Sequence, residues 1–206
     1  MDENEEIHSK VLDDKYANYR IVFDKVDELL NQNDSVVIAI DGMCGSGKSH
    51  LAGLLAEIYD CNVFHMDDFF LPFEMKTSER LAQPGGNVHY ERFQTEVLDS
   101  LNKGEKVTFR PYLCPQWVLG EPIQVEPKKL TIIEGSYSFQ PKLEQTYDLK
   151  IFLKIDSKVQ KERILKRNGE EKLQKFINLW IPLEKNYFDS LNIEDQANVV
   201  IDTTVF

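Results

Sequence analysis

The stretch Gly42-Met43-Cys44-Gly45-Ser46-Gly47-Lys48-Ser49 decides how this chain is read. It fits G-x-x-x-x-G-K-[ST], and its setting matters as much as its letters. The apolar run Val36-Val37-Ile38-Ala39-Ile40 stands before it and a helical pattern over residues 51–58 follows it. Glycines let the backbone curl so that successive N–H groups face one phosphate. The helix N-terminus adds its positive end, and Lys48 brings a full mobile charge. Ser49 is placed to ligate magnesium. Gly42, Cys44, Gly45, Ser46, Gly47, Lys48, Ser49 and His50 are therefore the expected contacts of a bound nucleotide. The alternative is a glycine-rich turn with an incidental lysine, but at average residue usage the four fixed positions coincide in on the order of one chain in a hundred.

Outward from this loop, short apolar runs alternate with helical stretches. The runs are 36–40, 61–66, 106–110, 130–133, 149–155 and 199–201, with helical patterns near 90–101, over 157–167 and over 170–191. Runs this short, β-branched and apolar on both faces predict an α/β fold. The expected architecture is three-layered, with a mostly parallel sheet of about five strands and a helical lid at 157–170. Before it, apolar residues recur at helical spacing from Ile7 to Leu30, clearest in Tyr19, Val22, Phe23, Val26, Leu29 and Leu30. Residues 1–35 are thus expected to be a helix packed on or leading into a domain over 36–206. Residues 71–89 and 111–127, rich in proline and glycine, interrupt the alternation and are candidates for a cover over a substrate. Pro182 is expected to kink or split the last long helix.

The remaining chemistry sits at strand ends. Asp67 and Asp68 close the run 61–66, and in a parallel sheet ligands gather outside the carboxyl ends of the strands. One of the two is expected to face the γ-phosphate, where it accepts a hydroxyl proton and helps hold magnesium; spacing does not choose between them. Glu134 closes 130–133 at the place of a magnesium-orienting acid. Arg163 and Arg167 lie four apart on one helical face, set to close over the phosphates or to form part of a solvated basic surface. His65, ending a buried run, is expected to be satisfied within the core. No N-K-x-D, D-x-x-G or L-S-G-G-Q occurs, which argues against a GTP switch and a transporter ATPase.

The chain has 206 residues, 42% hydrophobic and 29% charged, enough for one soluble domain that holds a core without disulfides or a structural metal. Lysine and arginine number 24 against 35 aspartates and glutamates, a net charge of −11 that disfavours nucleic acid and acidic membranes. Three cysteines without a paired spacing indicate a reducing compartment, read as the cytoplasm. The acidic opening residues do not make a secretory signal, and no apolar run is long enough for a membrane span.

With the loop, His65-Met66-Asp67-Asp68-Phe69-Phe70 and Ile133-Glu134-Gly135 assembled, the chain resembles the uridine kinase and phosphoribulokinase group of P-loop kinases from about Val36 to Ile201. It looks most similar to the short uridine-kinase-like proteins of bacteria. The resemblance implies that Asp67 is the catalytic base, that Glu134 places magnesium and that Arg163 and Arg167 belong to the lid. It implies a nucleoside site near Asn87, His89, Tyr90, Arg110 and Tyr112. The lid lacks the dense arginine pattern of the nucleoside kinases, which leaves the acceptor open. The expectation is an ATP- and Mg2+-dependent kinase acting on a small-molecule hydroxyl acceptor, foremost a pyrimidine nucleoside. Pantothenate, a sugar phosphate or a regulatory protein with little turnover stand as alternatives. The expected partners are the acceptor and, in a homo-oligomer, a second copy of the chain.

Overall fold

The computed structural model describes residues 14–143 and 147–206; the expected helix before residue 14 lies outside the described residues. A helical turn at Asp14–Ala17 leads into α1 (Arg20–Gln32). The break between them falls at Tyr19, whose ring is buried against Phe206 and His50 rather than continuing the helix face. Val22, Phe23 and Val26 of α1 are fully buried against the sheet, so the helix packs on the core.

Strand β1 (Val36–Gly42) runs into the glycine-rich loop, and α2 (Lys48–Ile58) leaves it. β2 (Cys61–His65) and α3 (Ser78–Ala82) follow, then α4, a helical run over 90–101 containing the π turn Gln94–Leu98. Four short strands come next: β3 (Val107–Phe109), β4 (Tyr112–Leu113), β5 (Val118–Leu119) and β6 (Ile123–Val125). β7 (Leu130–Glu134) and β8 (Leu149–Lys154) return to the core. The chain ends with α5 (Ser157–Asn168), α6 (Glu170–Lys175), a π turn at Phe176–Trp180, α7 (Ile181–Leu191) and β9 (Val199–Asp202).

The core sheet has five strands in the order β2-β7-β1-β8-β9, all parallel. Alternation along each strand divides its side chains between two apolar layers. Val36, Ile38 and Ile40 face α1 and α2, whereas Val37 and Ala39 face α4 and the end of α7. Both layers are needed to bury strands this apolar, which is why the sheet carries helices on each side. The run 106–110 is not part of that sheet: β3 pairs antiparallel with β6, and β4 pairs with β5 in a small hairpin. The hairpin packs through β4 on the 3₁₀ turn Met66–Phe69 that follows β2, and residues 71–89 are tied back beside it by the Phe70–Val88 bridge.

Pro182 does not end the last helix. The run from α6 to α7 stays helical, with the π turn Phe176–Trp180 directly before the proline, which falls in the first turn of α7, where a missing N–H is best tolerated. Among the described residues no helix is long and apolar enough to cross a membrane.

Candidate active site

The loop after β1 turns because two of its glycines adopt positive φ, 78° at Gly45 and 99° at Gly47, and α2 begins at once with Lys48. At Gly42, with φ 138°, a Cβ would lie 2.1 Å from the Leu153 carbonyl oxygen, so only glycine lets β1 lie this close to β8. Lys48 is buried, and its Nζ donates to the Gly42 oxygen at 2.7 Å and the Met43 oxygen at 3.1 Å. The Ser46 hydroxyl is buried within the loop without a protein hydrogen-bond partner.

A cavity of about 1030 Å³ opens above this loop, large enough for a nucleotide and a second small molecule. It brings together residues from distant parts of the chain: Lys48, Ser49, Asp67, Asn87, Tyr112 and Glu134 all line it. Ser49 Oγ donates to Glu134 Oε1 at 3.1 Å, across the adjacent pair β1 and β7. The two aspartates part company here. Asp67 opens into the cavity, while Asp68 turns away from its lining, toward the Arg92 and His65 side. Burial raises the Asp67 carboxyl above its usual range; Lys48 opposes this, and Glu134 and Glu184 add to it.

Beyond the loop, the cavity wall includes Tyr19, His50 and Phe206, with Tyr19 and Phe206 meeting edge to face at 5.4 Å. Arg163 lies at this end. Its Nη2 donates to the carbonyl oxygens of Thr203 at 2.6 Å and Phe206 at 3.1 Å, and Nη1 reaches the Gly45 oxygen at 3.5 Å. Arg167 also lines the cavity, with Nε donating to Asn168 Oδ1 at 2.8 Å. At the other end, Phe70, Tyr112 and Trp117 form an aromatic wall, Trp117 holding a left-handed φ of 58° at the hairpin tip. The Tyr112 hydroxyl is buried with no protein partner.

Three residues expected near the acceptor do not line the cavity. Tyr90 Oη accepts from Arg80 Nη1 at 2.9 Å and Lys142 Nζ at 2.8 Å, and its ring stacks under the Arg80 guanidinium. Arg110 is spent on the hairpin, donating to the carbonyls of Gly120 at 2.7 Å and Leu119 at 3.1 Å. His89 sits directly before α4 without a side-chain capping bond, and burial lowers its pKa.

One residue expected in the core joins the site, and so do others that were not singled out in the sequence. His65 is not absorbed by the core: its ring is half exposed, and Nδ1 lies 2.5 Å from Glu134 Oε1, which raises the imidazole pKa. Asp41 is fully buried and accepts from Gly42 N at 2.7 Å, Phe139 N at 3.0 Å and Tyr187 Oη at 2.8 Å, fixing the segment after Glu134 to the end of β1. A charged residue directly after five apolar ones and before the first loop glycine was the signal available for it. Ser136, Gln160 and Glu184 carry no such signal.

Comparison with known proteins bears on the family and the fold. A protein of Invertebrate iridescent virus 3 named "Putative kinase protein 029R" is 30% identical over 182 residues, 80% of this chain and 86% of that one. A Schizosaccharomyces pombe protein named "Putative uridine kinase C227.14" is 26% identical over 176 residues, 74% of each chain. The chain belongs to the uridine-kinase-like P-loop kinases. The kinase also shares its fold with a structure named "Possible Uridine Kinase from Bacillus stearothermophilus". That match has a TM-score of 0.63 and 20% identity, and covers 88% of this kinase and 99% of the other chain. No protein-family model matches the kinase. Kinases of this group use a nucleotide, and the loop of Gly45, Gly47 and Lys48 is the candidate place for it.

Proposed function

We propose that this kinase transfers the γ-phosphoryl group of ATP to a sugar hydroxyl of a pyrimidine nucleoside. The observation that carries the reading is the shared cavity: Asp67 opens into the same space as the phosphate loop, with the aromatic wall of Phe70, Tyr112 and Trp117 beyond it. A planar base has rings to stack on there. Asp67 takes the proton of the attacking hydroxyl, whose oxygen forms the new bond to phosphorus as ADP leaves. Lys48 and the loop amides hold the phosphates, and Arg163 and Arg167 neutralise the equatorial oxygens.

Ser49, Glu134 and Asp67 present hard oxygen donors, the set that Mg2+ takes, and would hold it beside the phosphates. Among the described residues no cluster of three or more His, Cys, Asp or Glu forms a metal cage, which suits an ion that keeps waters and phosphate oxygens as ligands. Bound there, Mg2+ supplies charge neutralisation to the transferring phosphoryl group.

The test is ADP formation from ATP and Mg2+ with a panel of acceptors, the product identified by mass spectrometry. Turnover that depends on uridine or cytidine supports the reading. Turnover driven instead by pantothenate or a sugar phosphate moves the acceptor, and ADP binding without acceptor-dependent turnover leaves a regulatory protein.

A further inference from the structure

The phosphate loop is held in shape from outside itself. Cys44 N–H donates to Glu184 Oε2 at 2.9 Å, and the Cys44 carbonyl accepts from Gln160 Nε2 at 2.8 Å. The two partners come from α7 and α5, the latter the helix that also carries Arg163 and Arg167, and both are buried, Gln160 to 2% and Glu184 to 7% exposure. The other Glu184 oxygen, Oε1, accepts from Ser136 Oγ at 2.6 Å, two residues beyond Glu134. Ile164 and Leu173 pack on the Cys44 side chain.

We propose that Glu184 and Gln160 are positioning residues for nucleotide binding, together fixing both peptide planes around Cys44 so that the next amide, Gly45 N–H, faces the phosphates. This deepens the kinase reading and rests on it. A trans peptide points its carbonyl and N–H in opposite directions, so holding the Cys44 oxygen on Gln160 turns Gly45 N–H to the far side. Without that restraint a segment containing Gly45 and Gly47 has wide conformational freedom, and a rotated peptide presents an oxygen to an anion. The Glu184 charge is itself unfavourable beside a triphosphate. Its value lies in accepting two hydrogen bonds at once.

A neutral isostere should therefore serve. In Glu184→Gln the side-chain oxygen takes the Cys44 N–H and the amide donates to Ser136 Oγ, whose own hydrogen has the Gly42 oxygen 3.1 Å away. The experiment is calorimetric titration of ADP with Mg2+ into the full chain, with thermal melting of each variant alongside. Glu184→Gln is expected to bind ADP within about threefold of the wild type. Glu184→Ala and Gln160→Ala are each expected to weaken it about tenfold, and the double variant by less than the product, since both act on one residue. Equal loss in Glu184→Gln and Glu184→Ala would assign the role to charge and overturn the proposal. So would unchanged ADP affinity in both alanine variants. If Glu184→Ala does not fold, Ser136→Ala and Gln160→Ala carry the same test, because each removes one member of the clamp. Lys48→Ala separates the two levels: if the wild type binds no ADP, or Lys48→Ala binds it normally, the nucleotide-site reading fails before the clamp is at issue.

Discussion

Adjacent aspartates divide their work because the chain turns beneath them. The 3₁₀ turn Met66–Phe69 begins where β2 ends, and it presents Asp67 to the cavity while Asp68 stays beside His65 and Arg92. Asp67→Asn is expected to lower turnover about 10²–10⁴-fold while the ADP dissociation constant changes little, measured by steady-state kinetics and calorimetry. Undiminished turnover would place proton removal elsewhere. That Cys44 to Ser49 and Glu134 would share one cavity was legible, because a glycine-rich loop and an acid at the ends of parallel strands fall at the same edge of the sheet, whereas Gly42 stays outside the lining. Asp41, Ser136, Gln160 and Glu184 were not, since their contacts join positions up to 146 residues apart and depend on how α5 and α7 dock. His65 was misjudged for a related reason: strand ends face the crevice, so the last residue of β2 leaves the core that its neighbours Phe64 and Met66 enter.

Elements were easier to read than their partners. The five core strands declare themselves by being apolar on both faces, yet the run at 106–110 has similar composition and joins β6 in a separate ribbon. Periodicity reports burial, and says nothing of which edge a strand pairs with. The hairpin of β4 and β5 carries a prediction of its own. Trp117, at its tip, is 57% exposed and packs edge to face with Phe73 at 5.3 Å across the two covering segments. Trp117→Ala is expected to raise KM for the acceptor about tenfold and to leave ADP affinity unchanged; a shift in ADP affinity instead would put the tryptophan on the nucleotide side. Helix α1 is anchored through Phe23, fully buried against Tyr16 and Tyr59. Phe23→Ala should cost about 3–5 kcal/mol in urea unfolding, and a loss under 1 kcal/mol would mean that the helix contributes little to the core.

At the scale of the whole molecule, stability is expected to answer to one buried acid. Burial raises the Asp41 carboxyl to about 6 from its usual 3.8, against the lowering effect of its N–H and hydroxyl donors and of Lys48. Between those two values the folded chain keeps a proton that the unfolded chain has released, so the Asp41 contribution falls as pH rises from about 4 to about 6 and is level above. The difference in unfolding free energy between wild type and Asp41→Asn should shrink over that interval, by at most about 3 kcal/mol; a difference independent of pH would show Asp41 ionised throughout. The three thiols are placed very unequally: Cys44 is buried, Cys61 is partly covered, and Cys114, at the rim beside Trp117, is exposed. A thiol-directed fluorophore will therefore mark position 114 ahead of the other two. The kinase thus carries its own attachment point for an optical reporter of whatever enters the acceptor end.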